Sequence, residues 1–167
     1  CPLDNIIMRV PKGGRVLDLG CGHGLVSFAL AYDDPTRTVV GVDLDADKIA
    51  EAKRVGASLP IEFRQGDGSV PPGPWDAITI VDVLYLLGPE RSRELIARCA
   101  AELGPNGRLI VHNSDSSPRW KWWLALAQEY VSVKMTRITK GTKIQFLSQS
   151  DIDSWMTEAG LSVENIP

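Results

Sequence analysis

The chain has 167 residues, of which 44% are hydrophobic and 23% charged, a balance that excludes collagen-like, fibrous and disordered classes and fits one globular domain. No apolar run approaches the ~18 residues needed to span a bilayer, so stable membrane insertion is not expected. The formal net charge of −3 disfavours a general nucleic-acid binder, although Arg119 to Lys143 alone carries +5 and leaves −8 for the remainder.

In chain order, short β-branched runs alternate with helical patterns, the signature of βαβ units and a parallel sheet. Strands are expected at Arg15–Leu19, Thr38–Asp43, Ile61–Arg64, Asp76–Asp82 and Arg108–Asn113, mostly apolar, as when helices cover both sheet faces. Gly24–Tyr32, Asp45–Val55 and Glu90–Leu103 repeat apolar residues every three or four positions and read as crossover helices. Pro89 suits a helix start, and Gly56 and Gly104 suit helix ends, the latter followed by Pro105. Asp45 and Asp47 are placed to cap the second of these helices.

Beyond the fifth strand, Pro118–Val131 reads as a helix with Trp120, Trp123, Leu124, Ala127 and Val131 along one face. Strand-like alternation appears around Met135–Ile138. Ser148 and Asp151 form a capping box ahead of a helix to about Ala159, Gly160 ends it, and Leu161–Ile166 is expected as a sixth strand. The whole reads as a single domain over residues 1–167, and a chain opening at Cys1 without methionine reads as part of a longer one. Cys1, Cys21 and Cys99 have no paired spacing, which favours a reducing, cytoplasmic setting. With only His23 and His112 as imidazoles, no protein-built metal site is expected.

The sharpest motif is VLDLGCGHG (Val16–Gly24), a buried strand entering a glycine turn and then a helix. Gly20, Gly22 and Gly24 permit a sharp bend and close ligand approach, and helix-start amides can face an anionic group. The dinucleotide fingerprint GxGxxG would need glycine at Leu25, which disfavours a nicotinamide-dependent oxidoreductase. Asp18 points the same way, because a carboxylate repels a diphosphate yet suits a ligand with sulfonium and ammonium groups. Asp43 closes the second strand, where a carboxylate can accept from both ribose hydroxyls, and Asp67 ends the third, where it can accept from an exocyclic amine. Each also has a purely structural use as a turn or cap residue, but together with the glycines they mark one carboxyl edge of the sheet.

On these residues, with GVDLD (Gly41–Asp45), QGD (Gln65–Asp67), WDAITIVDVLYLL (Trp75–Leu87), LGPNGRLIV (Leu103–Val111) and FLSQSDIDSWMTEAGL (Phe146–Leu161), the chain resembles the class I S-adenosylmethionine-dependent methyltransferases over most of its length. The resemblance implies a three-layer Rossmann-like α/β sandwich with strand order 3-2-1-4-5-(7)-6, although this chain stops at Pro167, before a seventh strand, leaving the fifth and sixth less protected. It implies that Gly20 and Gly22, with Cys21 between them, line the methionine part of S-adenosylmethionine, that Asp43 binds the ribose diol and that Asp67 takes the adenine amine. Leu44 would pack on the adenine, the Gly68 amide would reach a ring nitrogen, Asp82 and Val83 would flank the methionine end, and Asp18 would orient the glycine loop and the amino group.

Methyl transfer from a sulfonium is an in-line displacement that asks chiefly for alignment and exclusion of water. A hydroxyl or carbon acceptor also needs a proton acceptor within reach, for which Asp82, Tyr85, His112 and Asn113 stand at strand ends; His112, Asp82 and Tyr85 are the catalytic candidates. The fourth strand lacks the Asn-Pro-Pro-Tyr or Asp-Pro-Pro-Tyr signature resembling enzymes that act on base or amide nitrogens. The expected acceptor is therefore a small molecule, anionic or aromatic, methylated at oxygen, carbon or nitrogen by a monomer or homodimer. Residues 118–147 are expected to cover it, with Trp120 and Trp123 as walls and the basic residues as a rim, although core packing or a membrane interface are other uses for such a face. A silent methyltransferase-fold partner subunit is the remaining alternative.

Overall fold

A computed structural model describes residues 3–113 and 147–165. Its elements are α1 (Leu3–Ile7), β1 (Arg15–Leu19), α2 (Leu25–Asp33), β2 (Thr38–Asp43), α3 (Ala46–Val55), β3 (Ile61–Gln65), β4 (Trp75–Val81), a 3-10 turn (Leu84–Leu86), α4 (Pro89–Ala101), β5 (Leu103–His112) and α5 (Gln149–Glu158). The five strands form one parallel sheet in the order β3-β2-β1-β4-β5. The expected helix at 118–131, the alternation at 135–138 and nearly all of the covering segment lie outside the described residues.

Alternation along the buried strands divides the core into two layers. Leu17, Leu19, Val40, Val42, Ile78 and Ile80 pack toward Leu95, Ile96 and Cys99 of α4 and Ile152 of α5. Val16, Val39 and Ala77 pack the opposite way, against Ile6 of α1 and Val26, Leu30 and Ala31 of α2. Ile49 and Ala52 of α3 close on Phe63 of β3, joined by the partly buried Phe28 of α2. The result is a three-layer sandwich with β1 at its centre, and the chain reverses its winding direction between β1 and β4. In such sheets a crevice opens at the carboxyl ends of those two strands.

Helix boundaries follow their capping chemistry. The Asp45 side chain accepts from the amides of Asp47 and Lys48 and so caps α3; Pro89 opens α4; Ser148 and Asp151 form the reciprocal capping box of α5. Gly104 does not end α4. That helix stops at Ala101 with Glu102 as its cap, and Leu103 already pairs with Trp75. The register then jumps to Ala77 opposite Arg108, so Gly104–Gly107 is a bulge within β5, and regular pairing resumes at Arg108.

The sixth strand expected over Leu161–Ile166 is not formed by the described residues 161–165. Gly160 turns the chain at φ +83°, and Asn165 then bonds back to the helix, its Nδ2 donating to Asp153 at 2.7 Å and its Oδ1 accepting from Gln149 at 3.1 Å. The segment folds along α5 instead of extending beside β5, which is the sheet edge among the described residues.

Candidate functional site

β1 delivers the chain to the crevice and the glycine turn bends it away. Gly20, Gly22 and Gly24 all take positive φ, at +77°, +54° and +87°. The turn is tied to β2: the amides of Gly20 and Cys21 both donate to the Val42 carbonyl, at 2.7 and 3.0 Å. The Gly22 amide donates to Oδ2 of Asp43 at 2.8 Å, and Oδ1 of Asp43 accepts from the Asp45 amide at 2.9 Å. Asp43 is therefore a fixed carboxylate whose second lone pairs remain for hydroxyl donors. Because these amides, and that of Gly24, which donates to Cys21, have protein acceptors, only the other amides of the turn and first helical turn are left to meet an anionic ligand group.

The three glycines differ in what surrounds them. A β-carbon on Gly20 would run into the Val83 side chain and one on Gly24 into Phe63, but one on Gly22 meets nothing within 4 Å. Gly22 thus has open space on its side-chain face, which is where a ligand lying against the turn would sit.

Asp18 is 1% exposed. It accepts from Ser27 Oγ at 2.6 Å and Thr79 Oγ1 at 2.9 Å, and burial is the main cause pushing its carboxyl above the usual range. Through these bonds it links β1, α2 and β4 under the turn. The partly buried Cys21 side chain packs against the cluster of Ile49, Ala52 and Phe63, and burial, with Asp18 and Asp43 nearby, pushes its thiol far up.

Leu44 is 61% exposed beside Asp43, and a β-carbon on Gly68 would lie 4.0 Å from it. Asp67 directly precedes Gly68, and its Oδ1 accepts from the Ser69 amide at 2.8 Å. Ser69, by hydroxyl and amide, holds that carboxyl below the usual range. Val42, Gln65, Asp67 and Ser69 border an open cavity of about 540 Å³.

β4 ends in a left-handed Asp82, φ +55°, a conformation that asparagine and aspartate tolerate best among residues with a β-carbon. Its amide donates to the His112 carbonyl at 2.9 Å, keeping the ends of β4 and β5 level. Val83 then presses on Gly20, and the chain enters the 3-10 turn that carries Tyr85. Tyr85, Asp82 and His112 are all partly buried. Strand alternation sets His112 on the sheet face of Ile110 and Asn113 on that of Leu109 and Val111. Asn113 Oδ1 is buried without a hydrogen-bond partner, the sole such side-chain oxygen or nitrogen among the described residues.

Residues 3–166 match the family model described as a methyltransferase domain. The chain belongs to this family. The methyltransferase domain is 30% identical to a ubiquinone biosynthesis O-methyltransferase of Xylella fastidiosa, over 98% of this chain and 68% of that protein, and 27% identical to its namesake in Xanthomonas campestris, over 98% and 70%. Two solved structures share the fold: magnesium protoporphyrin IX methyltransferase from Synechocystis with bound SAH, at TM-score 0.73, 21% identity and 98% of this chain against 73% of that one, and an O-methyltransferase family 2 protein from Planctomyces limnophilus in complex with apigenin, at 0.72, 22%, 99% and 52%. The methyltransferase domain uses S-adenosylmethionine (SAM) as methyl donor. Among the described residues no helix is long and apolar enough to cross a membrane.

Ser27 and Thr79, which hold Asp18, carried no motif, although a threonine inside the buried run AITIV was a signal that a polar partner lies beneath it.

Proposed function

We propose that this domain transfers the methyl group of SAM to a hydroxyl oxygen of a small aromatic acceptor. The observation that carries the donor site is the bond from Gly22 to Asp43 beside open space over Gly22: it fixes a carboxylate for a ribose diol next to a turn that only hydrogen side chains leave accessible. Leu44, Asp67 and Gly68 are assigned to the adenine, Gly20, Cys21 and Gly22 to the methionine part, Asp82 and Val83 to its reacting end, and Asp18 to holding the turn in place. Bound there, SAM supplies a methyl group on a cationic sulfur.

The names of the O-methyltransferase relatives support oxygen as the methylated atom, and the apigenin complex supports an aromatic acceptor. Asn113 supports the same choice on physical grounds. A buried amide carbonyl without a partner costs roughly 1–3 kcal/mol, and a hydroxyl donor on the acceptor satisfies it, whereas a carboxylate adds a second acceptor to the same spot. His112, Asp82 and Tyr85 are the proposed candidates for taking up the proton released on methylation, and His112, on the opposite sheet face from Asn113, does not share the Asn113 hydrogen bond. Residues 118–147 are assigned to covering the acceptor, with a cytoplasmic setting supported by the unpaired Cys21 and Cys99.

Incubation with isotopically labelled SAM and parallel panels of phenols, benzoates lacking hydroxyls, and alkylamines tests this. Label in phenols alone is the expected result. Label only in the other panels overturns the acceptor assignment, and SAH binding without transfer to any acceptor, including a whole metabolite extract, identifies the silent subunit.

A further inference from the structure

The assignment of Asp67 to adenine rests on an exposed aspartate in a loop, which has no reason to keep one orientation unless something holds it. One peptide plane does so. The Ser69 amide donates to Asp67 Oδ1 at 2.8 Å, while the carbonyl of the same peptide, that of Gly68, accepts from Arg98 Nη2 of α4 at 3.1 Å. The C=O and N–H of a trans peptide are rigidly opposed, so a guanidinium on one side and a carboxylate on the other fix its rotation. The two bonds also polarise each other through the shared amide. Gly68 makes such a lock necessary: at φ +90°, without a β-carbon, its peptide has little intrinsic resistance to flipping. Glu94, one helical turn back, lies 3.8 Å from the Arg98 guanidinium.

We infer that Arg98 is a positioning residue for nucleobase selection, holding Asp67 through the Gly68–Ser69 peptide so that the cofactor site takes adenine in preference to hypoxanthine. Hypoxanthine replaces the exocyclic amine, a donor, with a carbonyl that faces the Asp67 carboxylate acceptor to acceptor. Loosening Asp67 therefore weakens adenine and relieves hypoxanthine, whereas damage to the fold weakens both alike. The inference rests on the proposed adenine site.

Calorimetric titration of wild type, Arg98→Ala, Arg98→Lys, Asp67→Ala and the Asp67→Ala/Arg98→Ala double variant with SAH and with S-inosylhomocysteine provides the test. Arg98→Ala is expected to raise the Kd for SAH roughly tenfold, the effect of losing about one hydrogen bond, and to reduce the ratio between the two ligands by a similar factor. Arg98→Lys, which keeps a donor, should restore part of the ratio, and Arg98→Ala should change nothing further in the Asp67→Ala background. An unaltered ratio in Arg98→Ala, or equal weakening of both ligands, overturns the inference while leaving the cofactor site standing. Failure of SAH to bind the wild type overturns the site itself, and the inference with it.

Discussion

Two glycines separated by one residue, Gly20 and Gly22, perform different work. Both hold positive φ, which costs a residue with a β-carbon on the order of 1 kcal/mol or more, but only Gly20 also faces a filled space. Gly20→Ala must displace Val83 and with it the junction between β4 and the 3-10 turn, so a lower melting temperature and lost SAH binding are expected together. Gly22→Ala bears the backbone strain alone; its melting temperature should stay within a few degrees of wild type while SAH affinity falls at least tenfold, because the new methyl occupies the ligand's side of the turn. Thermal melts paired with calorimetry check the contrast, and equal loss of stability in both variants would refute it. The glycine pattern was legible in the sequence because the backbone conformation demands the residue type. The support under Asp18 was not, because Ser27 and Thr79 lie on other elements and nothing local announces a long-range hydrogen bond.

Elements were legible to the extent that their ends carry their own chemistry. The boundaries of α3 and α5 follow from Asp45 and Ser148, whose side chains satisfy helix-start amides whatever the rest of the molecule does. The end of α4 was misplaced at Gly104 because a glycine before proline is equally at home in a bulge, and pairing with Trp75 across the sheet decided the matter. The sixth strand expected after Gly160 failed for a similar reason: over residues 161–165 the chain instead lets Asn165 bond to two polar partners on α5. At the amino end of the interior strand β2, Arg37 is 1% exposed and gathers the carbonyls of Val10, Pro11 and Leu30 with the carboxylate of Asp33, a junction no motif foretells. Asp34 joins the same corner, accepting from the Thr36 hydroxyl and amide and from the Gly13 amide, and these bonds lower its pKa from 3.8 to about 2. Since the folded value lies below the unfolded one, the contribution is complete above about pH 4 and disappears as pH falls toward 2. Urea denaturation at pH 5, 3 and 2 should show Asp34→Asn losing less stability than wild type across that interval, and parallel loss would contradict the sign.

For the whole molecule, the sheet order brings the ends of β1, β2, β3, β4 and β5 to one edge, and the acidic residues at Asp43, Asp67 and Asp82 reach it from separate strands. That convergence was readable because parallel strands joined by crossover helices put every strand's carboxyl end on the same side. The acceptor was less readable, since side chains that meet across the ends of β4 and β5 leave no periodic trace in the sequence. The central claim is that Asp43, fixed by the Gly22 amide, holds the cofactor. Calorimetric titration of wild type and Asp43→Ala with SAH, with NADH as a control ligand, tests it most directly. Saturable SAH binding by the wild type, no NADH binding, and a loss on the order of 1–3 kcal/mol in a folded Asp43→Ala are the expected results; unchanged SAH affinity in that variant, or NADH binding in place of SAH, would contradict the account.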